Sequence, residues 1–298
     1  MVCRSTSFVT STQDSRRLIA RGCRLFGLTA VALLSLAASA SAQALKGLDK
    51  HVELCNRVGD AAPDLRISSC TVIIEGDVAT PRGLSIALNN RGNAYNAKGD
   101  YKRAIEDYEQ AIAVDRNYAR AYSNRGVAYQ KLGEYKRALE DFDRAIKIDG
   151  TSAPIFVNRA EVYGRTGDYR RALADYGQAI KLRPELEAAW NGRCWVRAIM
   201  GELRPALTDC NESLRLKPNV ATTLDSRGLT YLKLGQADAA IADYNSALQL
   251  NPKLATSLYG RGISKRRSGK AAEATADIAA AVAIQPNIAT EFARYGVK

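Results

Sequence analysis

Slid along itself at one fixed interval, the chain matches itself six times between Ser85 and Ile288, with copies beginning at Ser85, Ala119, Ala153, Glu187, Ala221 and Ala255. A period of about 34 residues marks a supersecondary unit that cannot bury its apolar face alone, so the units must stack. The fifteenth position is glycine in every copy (Gly99, Gly133, Gly167, Gly201, Gly235, Gly269), and the twentieth is always alanine. Glycine accepts the positive φ that ends a helix abruptly, so each copy reads as two helices joined near its glycine. The eighth and twenty-seventh positions are small throughout, which lets the two backbones approach. Bulky residues at positions eleven and twenty-four, such as Tyr95 and Tyr108, fill the space between layers. Pro184, Pro218, Pro252 and Pro286 stop the second helix of four copies. The expected fold class is all-α.

Two charged positions recur with the glycines. Position seven is arginine in all six copies and position twenty-three is aspartate. Antiparallel helices would set them opposite each other. The pattern predicts structural ion pairs Arg91–Asp107, Arg125–Asp141, Arg159–Asp175, Arg193–Asp209, Arg227–Asp243 and Arg261–Asp277. A charged ligand stripe is the rival reading, and it does not explain why both partners recur together. The basic pairs Lys102-Arg103, Lys136-Arg137 and Arg170-Arg171 read as a solvated stripe on the convex side.

The N-terminal segment has a different character. Five arginines precede an apolar run from Leu25 to Ala40, which ends in Ala40-Ser41-Ala42. A basic lead, a short apolar core and a small-x-small site describe a secretory signal peptide over 1–42, cleaved after Ala42. The run is short for a membrane span, so no transmembrane segment is expected after cleavage. An uncleaved anchor is the alternative. The expected location is periplasmic or secreted.

Cys55, Cys70, Cys194 and Cys210 would remain, and the spacing from Cys55 to Cys70 is close to that from Cys194 to Cys210. Cys194 and Cys210 hold positions eight and twenty-four of copy four, which face each other across the turn. Cys55 and Cys70 bracket a turn-like Gly59-Asp60-Ala61-Ala62-Pro63. Two local disulfides, 55–70 and 194–210, are the favoured pairing of three possible ones. Without CxxC spacing, neither zinc nor a redox thiol pair fits.

Composition narrows the chemistry. The single histidine, His51, leaves no two-imidazole metal site and no base–nucleophile pair. The glycines follow the repeat period and form no phosphate loop. No enzyme activity, metal or cofactor is expected. Without the leader the chain has 38 basic and 30 acidic residues, a net of +8, which suits acidic peptides or an anionic envelope polymer. The basic residues are interspersed with acidic ones, so nucleic acid is not an expected partner.

Stretches such as ALNNRGNAYNAKGDYKRAIEDYEQAIAVD resemble the tetratricopeptide-repeat (TPR) family. The resemblance implies a right-handed α-solenoid of antiparallel helix pairs, with a concave groove lined mainly by first helices. It also implies a role in holding peptides or partner domains. Family geometry puts Asn89, Asn93, Asn96, Arg120, Lys131, Arg165, Asn191, Trp195, Ile199, Leu229, Lys233, Arg266 and Arg267 on the peptide-binding side. Amides then flank an apolar centre on one side and basic residues on the other. Trp195 either takes an apolar anchor or packs at the disulfide-bearing copy. Some family members clamp a peptide carboxylate through lysine at position five, where Asn89 stands here, so that specificity is not expected.

The expected organisation is a leader over 1–42, a disulfide-stapled helical cap over 43–84 and six repeats (85–118, 119–152, 153–186, 187–220, 221–254, 255–288). A last helical segment over 289–298 covers copy six. The expected function is a non-catalytic protein- or peptide-binding scaffold in the periplasm or cell envelope. An envelope-assembly or polysaccharide-associated factor and a non-catalytic accessory subunit are the alternatives.

Overall fold

The computed structural model describes residues 47–57, 62–76 and 79–297. The expected leader and its cleavage point lie outside the described residues. The chain divides into a unit ending at Ala79 and a unit running from Thr80. Among the described residues every regular element is a helix, and no helix is long and apolar enough to cross a membrane.

In the first unit, α1 covers 47–56 and α2 covers Pro63–Glu75. A disulfide joins Cys55 to Cys70 with their Cα atoms 4.9 Å apart, and both cysteines are buried. His51 lies on α1, where its Nδ1 is buried.

The second unit is a run of antiparallel pairs. The first helices are α3 (Pro81–Ala97), α5 (Ala119–Lys131), α7 (Ala153–Thr166), α9 (Glu187–Met200), α11 (Ala221–Lys233) and α13 (Ala255–Arg267). Their partners are α4 (Tyr101–Val114), α6 (Tyr135–Ile148), α8 (Tyr169–Leu182), α10 (Leu203–Leu216), α12 (Ala237–Leu250) and α14 (Ala271–Ile284). A short α15 (Ile288–Arg294) follows. The six turn glycines take φ of 77–85°, the left-handed conformation that a tight helix stop requires. Four of the second helices end two residues before their proline, at Leu182, Leu216, Leu250 and Ile284. The first pair departs from the period. Helix α3 begins at Pro81, ahead of Ser85, because Thr80 Oγ1 accepts from the Gly83 amide and proline suits the first turn.

Positions eight and twenty-four explain how each pair closes. A Cβ on Gly92 would lie 2.6 Å from the Tyr108 ring, and one on Gly126 2.8 Å from Phe142. Glycine is therefore the space an inward aromatic needs. In copy four the same two positions hold Cys194 and Cys210, disulfide-bonded with Cα atoms 5.3 Å apart. Tyr108, Phe142 and Tyr244 are fully buried, each worth about 1.5–3 kcal/mol in transferred apolar surface.

Position six adds a constraint between neighbouring copies. A Cβ on Gly192 would lie 2.2 Å from Tyr176, and one on Gly260 2.3 Å from Tyr244. In both cases the tyrosine belongs to the preceding copy. Gly260→Ala should therefore destabilise the fold by about 1–3 kcal/mol, since the buried ring must move. Gly177, inside α8 with nothing within 4 Å, is the counterpart. Gly177→Ala should stabilise by about 1 kcal/mol through helix propensity. Urea titration of both variants checks the pair, and a loss at Gly177 equal to that at Gly260 would overturn the packing argument.

Neighbouring first helices from α3 to α13 touch one another, whereas the second helices from α4 to α14 do not. The first helices therefore lie on the shorter, inner radius, and the inner face is theirs.

Candidate functional site

The arginine–aspartate rows tie each first helix to its partner. In all six copies the position-seven guanidinium donates through Nε and one terminal nitrogen to both carboxylate oxygens of the position-twenty-three aspartate, at 2.6–2.9 Å. All six aspartates are buried. Burial alone would raise the Asp277 carboxyl, but hydrogen bonds from Arg261 and Lys265 hold it below the ordinary range. The guanidinium groups also stack on rings: Arg159 lies 5.8 Å from both Phe156 and Tyr163.

The same arginines reach the preceding copy. Arg159 donates to Asp143 (2.6 Å), Arg227 to Asn211 (2.9 Å) and Arg261 to Asn245 (2.8 Å). Each acceptor holds position twenty-five, so one side chain ties its own pair and its neighbour. The acceptors at that position were visible in the sequence, but only the stacking geometry gives them a partner. The exposed arginines of the basic pairs are likewise engaged. Arg103, Arg137 and Arg171 sit 4.6, 4.1 and 5.4 Å from the ring centres of Tyr95, Tyr129 and Tyr163.

The expected peptide-binding residues fall into three groups. Arg120, Lys131, Arg165 and Arg266 are exposed. Lys131 and Arg165 line one open depression with Gln130, Leu132, Gly133 and Tyr135. The amides of copy one behave differently from the expectation. Asn89 is buried and accepts from Asn124 Nδ2 at 2.9 Å, while Asn93 accepts from the Tyr108 hydroxyl at 2.8 Å. Both oxygens are thereby engaged between helices, and Asn89 Nδ2 donates to Asn90 Oδ1 at 3.4 Å. Asn96 and Asn191 each carry a buried Oδ1 that no donor among the described residues reaches.

The third group is engaged by other parts of the chain, although Arg267 itself stays exposed. Leu229 is buried in a cluster that contains Ile288, Phe292 and Val297. Lys233 donates to the backbone carbonyls of Ala198 (2.6 Å), Ile199 (3.1 Å) and Tyr295 (2.7 Å), and burial lowers the pKa of its ammonium. Arg267 donates to the carbonyl of Leu232 at 3.1 Å. Trp195 meets Tyr169 edge-on at 6.4 Å and Tyr295 at 5.8 Å, while Ile199 next to it is partly buried. The last segment thus reaches well past copy six, beyond the cap expected there. The stripe of Ile288, Phe292 and Tyr295 was readable as an amphipathic turn, but its seat was not.

Asp225 sits beside this segment and accepts from Thr256 Oγ1 (2.9 Å) and Ser257 Oγ (2.6 Å). Burial pushes its carboxyl up to about 6, against those two hydrogen bonds, and the Glu291 charge adds to the rise. A raised carboxyl favours the folded state while protonated. That contribution is complete below about pH 4 and is lost as pH rises through about 6. Unfolding free energy should fall over that window by on the order of 2 kcal/mol more in the parent than in Asp225→Asn. Urea titrations at pH 4 and 7 check this, and identical pH slopes would overturn it.

Comparison with known proteins agrees with this geometry. Models described as "TPR repeat" and "Tetratricopeptide repeat" match residues 92–133 and 228–269, 119–152, and 153–186. No curated protein matches in sequence. Among solved structures, a tetratricopeptide repeat protein from Parabacteroides merdae ATCC 43184 is 18% identical and superposes with a TM-score of 0.63 over 84% of this chain and 98% of its own. PilW, a "widely conserved type IV pilus biogenesis factor", is 22% identical with a TM-score of 0.62 over 70% of this chain and 98% of its own. YrrB, "a TPR protein with an unusual peptide-binding site", is 22% identical with a TM-score of 0.51 over 65% of this chain and 98% of its own. At these identities the likeness speaks for the fold.

Proposed function

Because the chain is a tetratricopeptide-repeat protein, we propose that it is a non-catalytic scaffold that holds a protein or peptide partner against its inner face. The observation that carries this reading is the division of labour among the charges of the helix pairs. Buried charges serve the arginine–aspartate rows, while Arg120, Lys131 and Arg165 on α5 and α7 stand exposed. Long cations on neighbouring inner helices suit an acidic or extended peptide segment, which they would steer and position. The two disulfides support an oxidising compartment, and with the basic, apolar leader they favour the periplasm or cell envelope.

Affinity capture from envelope extracts tests the reading, comparing the mature protein with Lys131→Glu/Arg165→Glu at low and high salt. A protein retained by the parent at low salt and lost by the variant at the same salt is the expected result. Capture that vanishes in salt and ignores the double variant would overturn the inner-face reading and favour an anionic polymer on the general basic surface.

A further inference from the structure

The inner face of copies four to six is already occupied. Residues Ile288 to Val297 lie across it, with Ile288, Phe292 and Val297 buried. Phe292 packs on Tyr259 at 4.8 Å, and Tyr295 meets Trp195 edge-on at 5.8 Å. Lys233 closes the end of the segment by donating to the Tyr295 carbonyl. Tyr259, Lys233 and Trp195 belong to α13, α11 and α9, so the segment spans three successive first helices. Helix α15 itself packs on α13 and α14, as a simple cap would, and Tyr295 after it carries the contact on to α11 and α9.

Helix α15 has seven residues, too few to hold its shape alone in water, so its helicity depends on this seat. Recognition uses three elements. Two aromatics three residues apart pack on Tyr259 and Trp195, one on each. An apolar residue one turn earlier, Ile288, completes the stripe. Lys233 reads a backbone carbonyl at the helix end, where a cation is favourable whatever side chain stands there. None of these requires the segment to belong to the same chain.

We propose that residues 288–297 are a built-in placeholder for a partner's amphipathic helix of similar grammar. That partner helix has two turns, carries an aromatic–x–x–aromatic pair, and ends at Lys233. The inference rests on the scaffold reading and deepens it by naming the ligand chemistry of one part of the inner face. Tethering gives the segment a high effective concentration, so the seat stays closed until a stronger helix competes or the segment is released.

The test uses a fluorescein-labelled peptide with the sequence of residues 286–298, titrated by anisotropy against three proteins. These are the full mature chain, a chain ending at Gln285, and the full chain carrying Phe292→Ala/Tyr295→Ala. The truncated and doubly substituted proteins are expected to bind at least tenfold more tightly than the intact chain. A peptide with both aromatics replaced by alanine is expected not to bind. Should the truncated chain fail to melt cooperatively, the doubly substituted full-length protein decides. Equal binding by the intact and opened proteins, or none by either, overturns the proposal. Capture through Lys131 and Arg165 is read on α5 and α7. Its survival alongside failed peptide binding would sink this inference alone, and loss of both would sink the scaffold reading.

Discussion

Asp209→Ala should lower the unfolding free energy by about 3 kcal/mol, at the lower edge of the range for breaking a buried ion pair. Asp209 is only 1% exposed and takes two cations: Arg193 through both carboxylate oxygens and Arg197 Nη1 at 2.7 Å. Removing it takes the carboxylate from Arg193 and leaves Arg197 only its longer contact with Glu202 at 3.5 Å. Both arginines are partly exposed, at 18% and 25%, so water can reach them, which keeps the loss at the lower edge. Arg193 also lacks the neighbouring acceptor that serves Arg159, because position twenty-five of the preceding copy is Gly177. Glu185→Ala is the control. Its contact with Arg183 is long (3.7 Å) and exposed, so its removal should cost no more than about 0.5 kcal/mol. Urea titration checks both, and equal effects would show that the rows are ornamental.

Replacing Cys194 and Cys210 together by alanine should cost about 3 kcal/mol in the chain-entropy account of a loop this short. Both cysteines are fully buried, so the double alanine variant also leaves unfilled space. The repeat pattern supplies a sharper comparison. Copy two uses Gly126 and Phe142 at the same positions, with the ring filling the glycine gap. Cys194→Gly/Cys210→Phe should recover part of the loss by restoring that packing without the bond. Thermal melts of the parent with and without reductant, beside both variants, read the outcome. If reduction leaves the parent melt unchanged after the disulfide is shown to be open, the bond contributes nothing. In a repeat array each copy leans on its neighbours, so a weakened copy four should broaden or split the transition.

Much of this was legible before any coordinates. Positions seven and twenty-three, and eight and twenty-four, stand at one and the same separation around a turn glycine. Antiparallel helices of fixed rise then place each pair face to face, which is why the ion pairs and the second disulfide could be anticipated residue by residue. Gly192 and Gly260 carried the same signal, since each follows a tyrosine at that same separation, though it takes the packed structure to show the ring beneath them. Asn89 and Asn93 mark where the pattern stops. The repeat pattern gives their helix face, but whether an amide there meets solvent or Asn124 and Tyr108 depends on how tightly α3, α4 and α5 close.

The sequence by itself determined the repeat, the helix pairs, the turns and the internal pairings of each copy. These are local, and helix geometry alone sets distances across one turn or one hairpin. The tertiary structure decided what the inner face is free to do. Tyr295 meets Trp195, far upstream in the chain, only because successive pairs rotate and bring three first helices around one segment. Small rotations accumulate over many copies, and no pattern of residues within a single period records where they lead.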